Sequence, residues 1–426
     1  MSQQRLDILI SGAGVAGASL AMMLARQPGF KLHRKITLLE RSPIPRVTGQ
    51  AVDIRGPGVD VISKLGLEPE IKARHTTETG ISFLNSKGQV AATIPSTGDA
   101  KNQSASSEYE ILRGDLTALL LDGVKEAKEK GADVEVVYGE HIDSMEERAD
   151  GSGIDVRFAN GKISNQRYDV VVGADGIASK TRKFVFGKED RYENIKPSGL
   201  YIGYFSIPRI PEDNSLWNWC QVVPGLGMHL RPHCNNKTMG VYLTICNSTE
   251  SRNPELEDVL NSDVDTQKAY LRQRFQNAGW QGQRFVDGLD VTDDFYMSHW
   301  CRVVTPQWAK GHSVILGDAA FATMGIGTSL AMTGAYCIAG ELSKIESSDQ
   351  VPDALRKYED LYRPFVEKHQ KPGPATMQMA NPQTAWGLWF FHTLLGVICF
   401  MRVPQLLMRF FGGDEKESWK LPDYGW

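Results

Sequence analysis

Gly12-Ala13-Gly14-Val15-Ala16-Gly17 constrains this chain more than any other segment, because of what flanks it. Residues 6–10 before it are apolar and suit a buried parallel strand. Residues 18–26 after it read as a helix that is apolar on every side, stopped by Pro28-Gly29. Residues 36–39 form the next strand, ending at Glu40. This order is a βαβ unit with a right-handed crossover. Each glycine has its own reason. Gly12 permits a tight turn, Gly14 lets backbone approach a pyrophosphate, and Gly17 lets the helix pack close to the strand. The phosphates then face the positive end of the helix. Glu40 stands where a carboxylate accepts the hydroxyl protons of an adenosine ribose. A glycine-rich turn without a ligand is the alternative, and the full strand–loop–helix–strand–acid order argues against it.

That order fits a nicotinamide or a flavin dinucleotide equally. Two later segments separate them. Asp169-Val170-Val171-Val172-Gly173-Ala174-Asp175-Gly176 is a strand running into Asp-Gly, with Ser179 and Arg182 just beyond. Gly311-His312-Ser313-Val314-Ile315-Leu316-Gly317-Asp318-Ala319-Ala320 is a strand running into Gly-Asp-Ala-Ala. In each, an acid stands where a buried strand opens, the usual place for ligands in such sheets. Taken alone, each acid is more often a helix cap than a ligand.

The rest of the chain bounds the function. Its 426 residues exceed one typical domain, so one large or two interleaved domains are expected. A net charge of −4 gives no footprint for nucleic acid. The six cysteines form no CxxC pair, and the nine histidines show no metal spacing. Free thiols and no metal are expected. The N-terminal apolar residues are broken by glycines and lack a basic flank with a cleavage site, so a cytoplasmic location is expected. There is no Gly-x-Ser-x-Gly elbow and no HExxH, so no protein nucleophile is expected.

Residues 59–65 look helical. Residues 81–94 alternate around Ser86-Lys87-Gly88, a hairpin signal, and residues 98–107 read as a polar loop. Residues 113–130 carry a helical pattern ended by Gly131. Residues 134–138, 154–158 and 162–164 resemble strands, with Asn160-Gly161 as a turn. From 200 to 246, strand-like runs and aromatics dominate, as in an antiparallel sheet lining a cavity. Residues 254–278, 329–342 and the tail from 354 read as helical. Residues 386–411 are strongly apolar, but their unbroken part is shorter than the roughly 20 residues a membrane span needs. A helix packed on the body is the leading expectation there, ahead of contact with a membrane surface.

The three motifs, in this order, resemble the flavoprotein aromatic hydroxylases of the p-hydroxybenzoate hydroxylase type, single-component FAD monooxygenases. The resemblance runs to about residue 345. Arg46-Val47-Thr48-Gly49-Gln50-Ala51-Val52-Asp53-Ile54-Arg55-Gly56 and Leu421-Pro422-Asp423-Tyr424 are similar to the branch of tetracycline-inactivating and fungal secondary-metabolite monooxygenases. The resemblance implies an α/β fold: a Rossmann-type FAD-binding domain, an interleaved antiparallel-sheet substrate domain, and C-terminal helices. The expected boundaries are 1–80, 105–185 and 290–345 for FAD, 81–104 and 186–289 for substrate, and 346–426 for the helical region.

It also implies roles. Gly12, Gly14 and Gly17 would hold the pyrophosphate, Glu40 the adenosine ribose, and Asp318 the ribityl chain. Arg113 would reach the FAD from its helix. Residues 325–328, with Gly327 and then Ala331, would lie along the flavin. Arg46 is implicated in NADPH contact, Asp53 in FAD contact, and Asp175 in both. The family continues Gly-Asp-Ala-Ala with His and then Pro, whereas this chain reads Phe321-Ala322-Thr323-Met324. NADPH or NADH would reduce FAD, and reduced FAD with O₂ would form a C4a-hydroperoxide that oxygenates an aromatic or polyketide-like molecule. Epoxidation, Baeyer–Villiger oxidation and a non-catalytic flavin protein are the alternatives. A phenolic substrate benefits from a group favouring phenolate; Tyr204 and Arg231 are the leading candidates, with His229 beside them. Trp217, Trp219 and Met228 are candidates to line an aromatic cavity, with packing in a core the leading expectation.

Overall fold

The computed structural model describes residues 5–27, 29–45, 49–96, 109–187, 193–370, 376–401 and 419–426. Arg46, the whole polar loop at 98–107 and the apolar residues 402–411 lie outside them. Strand Arg5–Ser11 sits within a six-stranded sheet ordered Ala309–Lys310, Ser313–Ile315, Val170–Gly173, Arg5–Ser11, His33–Glu40, Asp133–Tyr138. All its pairings are parallel except the short edge strand Ala309–Lys310. The two faces explain the unbroken apolar runs. Ile8, Ile10, Leu38, Val170 and Val172 pack on the helical side, where Val15–Arg26 meets Arg113–Glu129 and Gly327–Ser343. Leu9, Leu39, Val137 and Val171 pack on a small sheet of Ile142–Glu147, Ile154–Phe158 and Gln166–Tyr168.

That last strand corrects the reading of residues 162–164. The buried Glu140 carboxylate accepts the backbone amides of Asn160 and Lys162 at 2.9 and 2.8 Å. These residues are thereby held in a loop, and pairing resumes only at Gln166.

A seven-stranded sheet runs Tyr296–Val303, Ile195–Pro208, Thr238–Cys246, Leu226–Pro232, Trp217–Val222, Gly80–Leu84, Val90–Pro95. Only Trp217–Val222 with Gly80–Leu84 is parallel. Its edge strand Tyr296–Val303 lies past residue 290, where the sequence reading ended this sheet's share of the chain. One face, with Tyr201, Phe205, Met228, Leu230 and Leu243, packs on helices and is a core. Those helices are three: Pro254–Leu260, Val264–Phe275 and Gly282–Val291. The single helical stretch read at 254–278 is therefore divided. Asp263 accepts from the Thr266 amide and starts a second helix.

Helix Val351–Gln370 buries Tyr358 and Tyr362 against the first core. Helix Ala385–Phe400 attaches through Phe391, Leu395 and Cys399 to Ile81 and Phe83. Its opposite side leaves Trp386 and Phe400 at 71% and 89% exposure. Among the described residues, no helix is long and apolar enough to cross a membrane. The closing residues Trp419–Trp426 have no helix or strand and pack on the first core. Gly340 leaves room for the Tyr424 ring, and the Tyr424 hydroxyl donates to Glu341 at 2.7 Å.

Candidate functional site

The three motif loops meet at the carboxyl end of the parallel sheet. Gly12 has φ +105°, its amide donates to the Leu39 carbonyl at 2.9 Å, and a Cβ there would stand 2.5 Å from the Ala174 carbonyl oxygen. The first loop thus rests directly on the second motif. A Cβ on Gly17 would fall on the Gly12 carbonyl oxygen. Gly14 differs: the nearest atom to its absent Cβ is the Arg113 guanidinium, 4.0 Å away. Gly14 caps helix Val15–Arg26 with no side-chain partner, so the helix opens on bare backbone. An open glycine at an uncapped helix start is what a pyrophosphate needs. Glu40 closes the rim, accepting the amides of Ala13 at 3.2 Å and Ser42 at 2.8 Å.

Asp175 turns inward on its own loop. Its carboxylate accepts the Ser179 hydroxyl and, at 3.0 Å each, the amide and hydroxyl of Thr181. Buried Arg182 carries the connection onward by donating to the Ala319 carbonyl at 2.7 Å. That bond ties the second motif to the third. Gly317, at φ +63°, places its α-carbon against Ala16 and Ala331, so the third loop packs on the first helix. Asp318 follows, and its side chain has no hydrogen-bond partner among the described residues. Burial holds its carboxyl above the usual range while Arg113 pulls it down. Gly327 opens the next helix with its absent Cβ 3.8 Å from Asp318 Oδ1. Gly325, at φ +78°, borders open space. Arg113, Asp318, Gly14 and Gly327 therefore share one hollow, a set of groups that fits a flavin dinucleotide. Phe321, where the family has His, is 1% exposed and packs on Trp308 at 4.7 Å. It anchors the loop in the core.

The seven-stranded sheet turns its second face toward this hollow. Tyr242 Oη accepts the Ala51 amide at 3.1 Å, and Tyr296 Oη accepts the Gln50 amide at 3.2 Å. Sequence reasoning missed both tyrosines. Their signal was alternation: Tyr242 and Thr244 share a face with His229 and Arg231 across the strand pair. Tyr204 lies flat on Tyr296, with centroids 4.7 Å apart, and its hydroxyl accepts from Trp300 Nε1 at 2.8 Å. Burial pushes the Tyr204 phenol well above its ordinary value, so it stays protonated.

Arg231 is buried and carries two carboxylate partners. Its Nε donates to Glu78 at 2.9 Å and an Nη donates to Glu110. Its guanidinium lies 4.1 Å over Trp217. Glu110 also pairs in register with Asp53, whose carboxylate takes Arg55 at 2.9 Å. Burial pushes Asp53 up to about 6 and Glu78 to about 8. The Arg55 amide donates to Ser329 Oγ at 2.8 Å, which joins this strand to helix Gly327–Ser343. Glu78 and Glu110 were also missed from sequence; an arginine inside an otherwise apolar strand was the sign that buried acids lay opposite.

Residues 5–371 match the family described as FAD binding domain, and the chain belongs to that family. Its relatives are FAD-dependent monooxygenases. The FAD-dependent monooxygenase asL6 of Sarocladium schorii is 33% identical, covering 98% of each chain. Monooxygenase CTB7 of Cercospora beticola is 32% identical, covering 100% of this chain and 99% of its own. Among solved structures, the tetracycline destructase Tet(51) is similar at TM-score 0.73 and 25% identity, with 100% of both chains covered.

Proposed function

We propose that this protein is a monooxygenase that binds FAD across its three motif loops, takes electrons from NADPH or NADH, and places one atom of O₂ on an aromatic or polyketide-like small molecule. The observation carrying this reading is the shared hollow: bare Gly14, Arg113 and Asp318, whose side chain has no hydrogen-bond partner among the described residues, lie together, with an aromatic sheet face turned toward them. When bound, FAD supplies the redox chemistry and the activation of O₂. The protein's part is to bind, orient and exclude water.

In this reading Gly12, Gly14 and Gly17 receive the pyrophosphate and Glu40 the adenosine ribose. Asp318 receives the ribityl hydroxyls. Gly327 and Ala331 leave a flat, small-residue wall for the ring system. Asp53 and Asp175 shape the surrounding loops, and Arg46 and Asp175 are assigned to the nicotinamide cosubstrate. Tyr204 and Arg231 act as positioning groups, since each already has protein partners. A Rossmann-type domain with an interleaved substrate sheet is the matching architecture, divided much as the sequence suggests but with residues 296–303 moved to the sheet. The Tet(51) name points to tetracycline as that protein's substrate. A polycyclic polyketide of similar shape suits the aromatic face here. Supply of NAD(P)H supports a cytoplasmic location.

The test is NADPH or NADH oxidation by the purified yellow protein, with and without a panel of phenols and polyketides. Substrate-dependent stimulation with a gain of one oxygen by mass spectrometry is expected. Its absence across the panel, with flavin bound, would defeat the oxygenase reading. The position of the new oxygen distinguishes hydroxylation from epoxidation and Baeyer–Villiger insertion.

A further inference from the structure

The aromatic face carries a charge preference, an inference that rests on the monooxygenase reading and narrows its substrate class. We propose that the surface around Gly227 takes an uncharged aromatic ring bearing a hydrogen-bond-accepting oxygen, and discriminates against aromatic carboxylates.

Arg231 is the residue that a carboxylate on this face would seek. It is already held by Glu78 and Glu110, with side-chain exposures of 1% and 2%. With the adjoining pair of Arg55 and Asp53, three acids stand against two guanidinium groups, and burial keeps Glu78 protonated up to about pH 8, so at neutral pH the charges balance. An arriving anion therefore meets a cation that is already neutralised and enclosed by protein acceptors.

His229 adds no positive charge. Burial, with Arg231 nearby, pushes it down to about 3. Trp217 Nε1–H donates to its Nδ1 at 3.0 Å, so the single ring proton resides on Nε2. Nε2 has only a long contact, 3.5 Å, to Thr244 Oγ1. Trp219 stacks on this imidazole with centroids 4.7 Å apart, and its own Nε1–H is buried without an acceptor among the described residues. Gly227 is the floor beneath them. A Cβ there would lie 3.1 Å from Trp219 Nε1 and 3.2 Å from His229 Nε2, and would overlap Thr244 Oγ1. Two N–H donors thus converge over a bare backbone, one unmet and one weakly met. A buried donor without a partner is rare in native structures, and a phenolic or keto oxygen on a ligand would satisfy it. Trp217 and Trp219 stand parallel, with a 7° interplanar angle, and provide the flat apolar wall that a ring requires.

The test measures binding to the flavin-loaded protein at neutral pH by equilibrium dialysis. The probes are 2-naphthol and 6-hydroxy-2-naphthoate, which share a ring and hydroxyl but differ in a carboxylate. We expect 2-naphthol to bind about tenfold or more tightly, equivalent to about 1.4 kcal/mol. Glu110→Gln, which removes the other acid paired with Arg231, should shrink that ratio. His229→Phe should weaken 2-naphthol binding roughly tenfold, the loss of about one hydrogen bond. Equal or tighter binding of the carboxylate by the unaltered protein overturns the inference, as does no saturable binding of either probe. These comparisons on the unaltered protein do not depend on either variant folding. Failure of the parent reading looks different: the flavin-loaded protein would show no substrate-dependent NAD(P)H oxidation across the panel, whichever probe it binds.

Discussion

Three residues answer for much of the site. Asp318 has no hydrogen-bond partner among the described residues and feels the charge of Arg113, the setting in which we propose it receives the flavin. Asp318→Ala is expected to purify nearly colourless, with a low ratio of flavin to protein absorbance; full yellow colour would show the acid to be dispensable. Gly17 lies where helix and loop touch. In Gly17→Ala the new methyl meets the Gly12 carbonyl oxygen, so the loop must shift. We expect flavin affinity to fall by at least about tenfold, a misplacement effect of about 1.4 kcal/mol, measured by titrating apoprotein with FAD. Arg231 serves the fold. Arg231→Ala leaves buried Glu110 without its counter-charge and Glu78 without its hydrogen-bond donor, a change that typically destabilises by about 3–5 kcal/mol. A fall in the urea midpoint reads this out, and an unchanged midpoint would remove Arg231 from the frame.

At the scale of elements, helix Ala385–Phe400 has two unlike sides. Phe391 lies edge-on to Phe83 at 6.1 Å, whereas Phe400 is 89% exposed. Phe391→Ala should destabilise by about 1–2 kcal/mol, and Phe400→Ala by no more than about 0.5 kcal/mol. Paired thermal melts compare the two directly, and equal effects would mean that the helix is not seated as described. The elements differ in how readable they were. Strands 6–10, 36–39 and 170–172 announce themselves, because burial on both faces writes an unbroken apolar run. The glycine loops are equally legible, since each glycine answers a local steric demand. The strand at Gln166–Tyr168 was not, because Glu140 claims the preceding amides from a distant segment. Nor could periodicity show that Trp217–Val222 pairs with Gly80–Leu84, since such partners are chosen by packing between remote stretches. Tyr242 and Tyr296 were hidden for the same reason: their bonds run to backbone near residue 50.

For the whole molecule, the buried acids gathered between the seven-stranded sheet and the strand Ala51–Asp53 set a pH dependence. Glu78 stands at about 8 against an ordinary 4.5, and Asp53 at about 6 against 3.8. Between those values the folded protein holds protons that the unfolded chain releases. Their contribution is therefore greatest at low pH and is lost as pH climbs through 6 and 8. His229 works in the opposite sense. It is neutral when folded, at about 3 against an ordinary 6.5, so its contribution is lost as pH falls below 6.5. The two windows overlap between about pH 4 and 6.5, where the opposing slopes partly cancel, and above that range the loss from Glu78 stands alone. In Glu78→Gln the decline between about pH 6 and 8 should flatten; melting temperatures across that range measure it, and an unaltered slope would clear Glu78 of the effect.

Strand Arg5–Ser11 is flanked on one side by Val170–Gly173, which is in turn flanked by Ser313–Ile315. Synthesis delivers these neighbours late. At about 5–20 residues per second, the first strand waits roughly 8–30 s for one flank, and the Asp318 loop arrives later still. Through that interval the nascent chain carries an apolar sheet edge with nothing beside it, and the flavin cradle has a floor but no third wall. Cofactor capture is thus a late event in the life of the chain, and the early segments need shelter before they need a ligand.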